Sequence, residues 1–162
     1  MAADLLERDQ FLAALDEALR RAAEGHGRIA LVSGEAGIGK TSLLECFLEQ
    51  HPATRVLWGA CEALFTPRPL GPLYDIAQQA PLQVRALLEG EATRATLFAA
   101  VLDELIQAPT ILVIEDIHWA DEATLDLIKY LGRRIHRTAT LLIVTYRDDE
   151  IDKGHPLRLV LG

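Results

Sequence analysis

Hydrophobic and polar positions follow two periods along this chain, and the two periods alternate. Short apolar runs predict four β-strands, over residues 28–33, 54–59, 110–115 and 139–145. Apolar residues at helical spacing predict helices over 8–23, from the glycine-rich segment to about Gln50, over 73–79, 82–89 and 92–107, and from an N-cap at Asp121. Residues 60–72 are predicted to be a loop, because prolines and glycines interrupt them. Strands that alternate with helices favour an α/β fold, with a mainly parallel sheet and helices on both faces.

The positions of the apolar residues also predict which faces are buried. The unbroken apolar character of strand 28–33 predicts burial on both faces of the sheet. One stripe of helix 8–23 carries Phe11, Leu12, Leu15 and Leu19. The apolar face of helix 92–107 comprises Leu97, Phe98, Val101, Leu102, Leu105 and Ile106, and that of the helix after Asp121 comprises Leu125, Ile128, Leu131 and Ile135.

A glycine-rich segment links the first strand to the next helix and matches the pattern G-x-x-x-x-G-K-[ST]. Glycines let backbone N–H groups turn towards a chain of phosphates, and the helix directs its positive dipole end at the same anion. Lys40 is expected to reach the β- and γ-phosphates, and the Thr41 hydroxyl to ligate Mg²⁺. The predicted nucleotide-binding residues are Gly34, Glu35, Ala36, Gly37, Ile38, Gly39, Lys40, Thr41 and Ser42.

Two adjacent carboxylates, Glu115 and Asp116, end the third predicted strand. In phosphoryl transfer one acid holds Mg²⁺, usually through water, and the other orients or deprotonates the attacking water. By register, Glu115 takes the metal side and Asp116 the catalytic side. The two assignments could be exchanged, because the residue on the metal side is usually an aspartate. The alternative is a strand end with two solvated acids.

The fourth strand is followed by Arg147, whose guanidinium could read the γ-phosphate and act in catalysis. The alternative is a surface arginine paired with Asp148 or Asp149. His118 could orient a carboxylate or a water, although such a histidine is more often a loop residue with satisfied hydrogen bonds. A further pair, Arg133 and Arg134, could serve a neighbouring molecule as an arginine finger or could simply end a solvated helix.

Composition limits the possible partners. The 162-residue chain carries a formal net charge of −8, which does not suit non-specific binding to a nucleic-acid backbone. Its two cysteines, Cys46 and Cys61, follow no metal-ligand spacing. No apolar run approaches the length of about 20 residues that a membrane-spanning helix needs, and no signal-peptide pattern is present. We therefore expect a cytoplasmic protein without a membrane partner.

Three segments together resemble one protein family: GEAGIGKT, VIEDIHWADEATLDLI and LLIVTYRDDE. The chain resembles the ATPase domain of STAND-class signalling proteins, and in particular of the large ATP-binding LuxR-type regulators of bacteria. The opening residues 6–15 and the proline-rich residues 68–73 are also similar to that family. The resemblance implies a three-layer P-loop NTPase fold that binds ATP or ADP with Mg²⁺. It also implies a place for Arg8 near the adenine, although Glu7 stands where the family usually has glycine.

The same resemblance implies that residues 1–162 are one partial P-loop ATPase domain, with a helix over 8–23 and a nucleotide-binding core over 28–162. The family's fifth core strand and helical lid are not recognised, which predicts a truncated core. The implied function is a slow ATPase switch that can self-associate with nucleotide, while a C-terminal domain outside this segment contacts DNA. The alternatives are an assembly module that hardly hydrolyses ATP, a mechanical ATPase acting on nucleic acid, or a small-molecule kinase.

Overall fold

The computed structural model describes residues 2–64, 68–80, 82–151 and 154, and the side chains of all of these except residues 2–6 and 82. The described residues form four β-strands, β1 (Arg28–Ser33), β2 (Arg55–Ala60), β3 (Thr110–Glu115) and β4 (Thr140–Tyr146). They also form six α-helices, α1 (Ala2–Ala23), α2 (Lys40–Glu49), α3 (Gly71–Ala77), α4 (Leu82–Glu89), α5 (Arg94–Gln107) and α6 (Glu122–Gly132). Strands and helices therefore alternate as the hydrophobic pattern predicts.

The four strands form one parallel sheet in the order β1-β4-β3-β2. In a parallel sheet all carboxyl ends lie at the same edge. That edge therefore carries the glycine-rich segment after β1, the acidic pair at the end of β3, and Arg147 after β4. The sequence separates these three features by up to about a hundred residues, and the topology brings them together.

Helices cover both faces of the sheet, with a hydrophobic core on each side. Under α1 and α2, the core includes Leu15, Leu44, Phe47, Val113 and Ile143. On the opposite face, residues of α3 to α6 pack on Leu57, Leu112, Ile114, Leu142 and Val144. Strands β3 and β4 lie in the centre of the sheet and are buried along almost their whole length. This architecture confirms the predicted α/β fold with helices on both faces.

The predicted burial of β1 on both faces is wrong. Ile29 and Leu31 are 40% and 48% exposed, whereas Ala30 and Val32 face the core under α1 and α2. Among the described residues, β1 pairs only with β4 and so lies at an edge of the sheet. An apolar run in a strand therefore does not show whether both faces are covered.

Two residues of the predicted helical stripes are also exposed. Phe11 is 58% exposed and Ile106 is 57% exposed. Each is the sequence neighbour of a buried leucine, Leu12 and Leu105 respectively. Adjacent residues on a helix are rotated by about 100° from each other, and in these two pairs the rotation places one residue outside the buried face.

Helix boundaries differ from the predictions at the start of α1, at both ends of α3 and at the start of α5. Helix α1 begins at Ala2, six residues earlier than predicted. Helix α3 includes Pro72, which was assigned to the loop, in its first turn, where proline needs no N–H. A Cβ on Gly59 of β2 would lie 2.4 Å from the Pro72 carbonyl oxygen, so this glycine lets α3 approach the sheet closely. No helix in the described part of the chain combines the length and apolar character needed to cross a membrane.

Candidate nucleotide-binding site

The glycine-rich segment ends at an open helix N-terminus. Gly39 caps α2 with a left-handed φ of 99°, which glycine adopts readily, and among the described residues no side chain accepts a hydrogen bond from the first turn. The unpaired N–H groups of a helix N-terminus attract anions. Lys40, the first residue of α2, donates from Nζ to the carbonyl oxygens of Gly34 and Glu35, at 2.7 and 3.0 Å. The segment therefore surrounds its own ammonium group, beside a helix end suited to a phosphate.

The acidic pair faces this segment through Glu115. The Thr41 hydroxyl donates to Glu115 Oε1 at 2.7 Å, across 74 residues of sequence. On the other side, the Trp58 indole Nε1–H donates to Glu115 Oε2 at 2.8 Å. Both carboxylate oxygens thus have a donor, one from α2 and one from β2. These two bonds connect the helix after β1 to the centre and the far edge of the sheet.

The donors at this point fit Mg²⁺. A hydroxyl and a carboxylate are hard oxygen ligands, and Mg²⁺ is commonly bound by one or two such groups together with water and substrate phosphates. Thr41 and Glu115 supply these groups within hydrogen-bonding distance of each other. Among the described residues, no group of three or more His, Cys, Asp or Glu side chains is placed to hold a metal ion.

Asp116 has an unusual backbone conformation, with a left-handed φ of 57°. Its N–H donates to the Thr145 hydroxyl at 3.0 Å, and Thr145 is buried at the end of β4. Residues in sparsely populated backbone regions persist only where surrounding structure holds them, and they cluster at functional sites. The contact with Thr145 therefore couples the turn that carries Asp116 to the strand that leads to Arg147.

His118 provides a second link between these strand ends. The Arg147 N–H donates to His118 Nδ1 at 3.2 Å, so this nitrogen carries no proton. Burial lowers the pKa of the His118 imidazole below its usual range, and the Arg147 charge acts in the same direction, while Asp116 and Glu150 partly oppose the shift. This geometry agrees with a hydrogen-bonded loop histidine that is neutral at physiological pH.

The guanidinium of Arg147 lies near neither Lys40 nor Glu115 in the described contacts. It is 3.8 Å from the Glu150 carboxylate, with its carbon atom 4.8 Å from the centre of the Trp119 ring. Its carboxylate partner is therefore Glu150 and not Asp148 or Asp149, the residues that the surface-pair alternative named. The structure places Arg147 at the correct sheet edge but does not bring its charge into contact with the glycine-rich segment.

Two other arginines of the sequence analysis have local contacts. Arg8 of α1 donates to the Ser42 carbonyl oxygen at 3.1 Å, so the structure brings it beside the first turn of α2. Arg134 donates to the Tyr130 carbonyl and stacks on the Tyr130 ring. The second arrangement is typical of an arginine that ends a helix.

Similarity to known proteins shows which family the chain belongs to. The sequence profile of the AAA ATPase domain family matches residues 4–144, most of the chain. The chain belongs to the AAA ATPase domain family. An uncharacterised protein of Rhizobium meliloti (strain 1021) is 24% identical to this chain. The alignment is 211 residues long and covers 99% of this chain. The chain spans only 20% of the length of that relative.

Solved structures share the fold of this AAA ATPase domain. The crystal structure of Cdc6p from Pyrobaculum aerophilum matches with a TM-score of 0.68 and 21% identity, over 96% of this chain and 43% of the other. A structure of Drosophila ORC bound to DNA matches with a TM-score of 0.60 and 16% identity, over 97% and 83% of the two chains. At these identities the likeness concerns the fold alone.

Between α3 and the turn before α6, the AAA ATPase domain has a pocket of about 130 Å³, lined by Cys61, Tyr74, Asp75, Trp119 and Asp121 among others. Burial raises the pKa of the Cys61 thiol to about 12, and the nearby carboxylates of Asp121, Asp116 and Asp75 add to the shift. A thiol with this pKa stays protonated at neutral pH and is a poor nucleophile.

Sequence reasoning missed Trp58, which it treated only as part of a strand. The available signal was the alternation of strand side chains. In the observed register Trp58 pairs with Val113, and Val113 lies two residues before Glu115 on the same face. The register between β2 and β3 is not evident from the sequence, so the contact became visible only in the fold.

Proposed function

We propose that this AAA ATPase domain binds ATP with Mg²⁺, hydrolyses it slowly, and acts as the switch of a larger bacterial signalling or transcription regulator. One observation carries the nucleotide part of the proposal: the Lys40 segment and the Thr41–Glu115 pair meet at one edge of the sheet. The regulator part rests on the resemblance of the VIEDIHWADEATLDLI segment to STAND-class and LuxR-type proteins. DNA contact would then come from another part of that regulator.

The proposal gives each residue a role in binding. Lys40 exchanges its two carbonyl acceptors for phosphate oxygens, and the N–H groups at the start of α2 donate to the same anion. Thr41 and Glu115 hold Mg²⁺, which neutralises charge on the phosphate oxygens when it is bound. Arg8, beside Ser42, is the candidate for contact with the nucleoside.

The catalytic roles follow from the same arrangement. With Glu115 bonded to Thr41, Asp116 is the acid left to orient or deprotonate the attacking water. Arg147 is the candidate reader of the γ-phosphate, and this role requires its guanidinium to leave Glu150 and Trp119. If the two acids exchange roles, Glu115 becomes the base.

One further observation favours a second candidate function. A structure with this fold is described as ORC bound to DNA, which fits an AAA-type ATPase that acts on nucleic acid. The net charge of −8 opposes direct contact between this segment and a phosphate backbone. The regulator and the nucleic-acid ATPase differ in whether DNA accelerates ATP turnover.

Phosphate release from Mg-ATP tests the proposed reaction. Replacing the catalytic acid in Asp116→Asn should preserve nucleotide affinity and slow hydrolysis by about 10²- to 10⁴-fold, the range for loss of a general base. The matched control is Asp103→Asn, on the exposed surface of α5, which should hydrolyse ATP at the parent rate. If Asp116→Asn also retains the parent rate, the assignment is wrong and Glu115→Gln becomes the variant to test.

The parent chain distinguishes the alternatives in the same assay. Slow release that duplex DNA does not accelerate supports the switch. Tight binding of ATP without measurable release identifies an assembly module, and release that rises severalfold with duplex DNA identifies a nucleic-acid ATPase.

A further inference from the structure

The Trp58 side chain donates the second hydrogen bond to Glu115, on the carboxylate oxygen that Thr41 does not contact. We propose that Trp58 is a positioning residue, which fixes the Glu115 carboxylate in the orientation that Mg²⁺ requires. The proposal rests on the proposed function, because it concerns the metal side of the same site. It adds a residue of β2, an edge strand among the described strands, to a metal side otherwise built from Thr41 of α2 and Glu115 of β3.

The geometry of the sheet explains how the indole reaches the carboxylate. Trp58 is opposite Val113, and Glu115 is opposite Ala60, so Trp58 and Glu115 are diagonal neighbours on one face. That face is the one covered by α1 and α2, where Trp58 packs against the core. A diagonal neighbour in a sheet lies within reach of a large aromatic side chain. The Nε1–Oε2 distance of 2.8 Å is that of a well-formed hydrogen bond to a charged acceptor.

The backbone of Trp58 is itself held in place by the side chain of Gln79. The Trp58 N–H donates to Gln79 Oε1 at 2.9 Å, and Gln79 Nε2 donates to the Trp58 carbonyl oxygen at 2.8 Å. Two residues further along β2, the Ala60 N–H donates to the Asp75 carboxylate at 3.1 Å. Side chains therefore pair the outer edge of β2 around Trp58, and they reduce the freedom of the strand that carries the indole.

The consequence is a carboxylate oriented before any ligand arrives. Thr41 holds one oxygen of Glu115 and Trp58 holds the other. Partners that orient a metal ligand from behind typically contribute 10- to 100-fold to metal affinity. When the indole N–H is removed, Oε2 loses its donor and the carboxylate gains rotational freedom. The variant should therefore lose affinity for Mg²⁺, while phosphate binding by Lys40 should be unaffected.

The test is the Trp58→Phe variant, which keeps an aromatic ring in the core and removes the donor. Affinity for a non-hydrolysable ATP analogue is measured with and without Mg²⁺, in the parent and the variant. Mg²⁺ should raise the affinity of the parent for the analogue. We expect this increase in affinity to be smaller by about tenfold or more in the variant. Affinity without Mg²⁺ should stay within about twofold. An equal effect of Mg²⁺ in both proteins would overturn the positioning role.

A control separates positioning from packing. Phe98→Leu removes a buried aromatic ring from the core on the opposite face. It should lower the thermal midpoint yet preserve the strengthening by Mg²⁺, whereas Trp58→Phe should reduce that strengthening. If both variants reduce it equally, Trp58 acts through packing alone. If the parent itself binds no analogue, the proposed function is wrong, and this failure is distinct from a failure of the Trp58 role.

A spectroscopic measurement keeps the proposal testable if Trp58→Phe does not fold. The chain has two tryptophans, so Trp119→Phe leaves Trp58 as the single indole. Its emission should shift when Glu115→Gln removes the charged acceptor, and again when Mg²⁺ and the analogue bind. Emission that responds to neither change would show that the indole and the carboxylate do not interact in solution.

Discussion

Helices α2 and α6 both begin at the carboxyl edge of the sheet, but their first N–H groups are capped in different ways. The Asp121 carboxylate caps α6 and accepts from the N–H groups of Ala123 and Thr124, at 3.0 and 3.2 Å. It also accepts from the Thr124 hydroxyl and from the Leu70 N–H. Helix α2 begins after Gly39, which has no side chain, and the part of the chain that the structure describes provides no side-chain cap there.

The difference shows where an anion can bind. Every α-helix leaves N–H groups unpaired at its start, and those groups need an acceptor. In α6 a built-in carboxylate supplies the acceptor, and its negative charge opposes a second anion. In α2 the acceptor is left to a ligand, and Lys40 adds a positive charge at the same place. Of these two helices, α2 is therefore the one whose start is open to an anion, and Lys40 distinguishes it further.

The largest expected change in stability comes from removing the cap of α6. Asp121→Ala should lower the free energy of unfolding by about 2 kcal/mol, the upper part of the range for a lost cap, because the Leu70 N–H also loses its acceptor. Urea unfolding measures this loss. Nucleotide affinity should remain that of the parent, since α6 is closed to the ligand.

The matched control is the cap of α5, where the Thr93 hydroxyl accepts from the Thr96 N–H at 3.2 Å. Thr93→Ala should cost about 1 kcal/mol, because the bonds that the structure describes for this cap, to the N–H and the hydroxyl of Thr96, stay within the first turn of α5. If Asp121→Ala weakened nucleotide binding more than Thr93→Ala, α6 would belong to the binding site and the comparison would be wrong.

A smaller effect should appear in the pH dependence of stability, through His118 in the turn between β3 and α6. Burial lowers the pKa of His118, so the unfolded chain binds a proton at a higher pH than the folded chain does. The stabilisation is therefore complete above the ordinary histidine pKa of about 6.5 and is lost as pH falls through the lower folded value. Urea unfolding between pH 7.5 and pH 5 should show this decline in the parent.

His118→Asn serves as the comparison, because asparagine can accept from the Arg147 N–H and does not titrate in this range. The other titrating groups are shared, so the difference between the two curves isolates His118. Parallel curves would mean that His118 is not buried as a neutral ring.

The central strands and the site loops could be predicted from the sequence because their signals are local. Strand β3 was predicted with its observed bounds, and the segment around Lys40 and Thr41 matched a motif whose strand–loop–helix context the fold confirms. The α/β class followed from the alternation of the two hydrophobic periods. Asp121 as the cap of α6 was likewise predicted from its residue type and position.

The features that could not be predicted depend on long-range packing. The exposure of Ile29 and Leu31 depends on whether helices cover that face of β1, and an apolar run looks the same in either case. The bond between Trp58 and Glu115 depends on the register of β2 against β3. The position of Arg147 beside Glu150 depends on the turn after β4 and not on the strand that precedes it.

The account rests on phosphate binding at the uncapped start of α2, and one titration tests it most directly. Calorimetry of this chain with a non-hydrolysable ATP analogue and Mg²⁺ should show binding at one site. Lys40→Ala should weaken that binding by about 100-fold or more, because two charge-assisted hydrogen bonds are lost. The control Lys129→Ala, on an exposed position of α6, should bind as the parent does. Equal binding by the parent and Lys40→Ala would contradict the account.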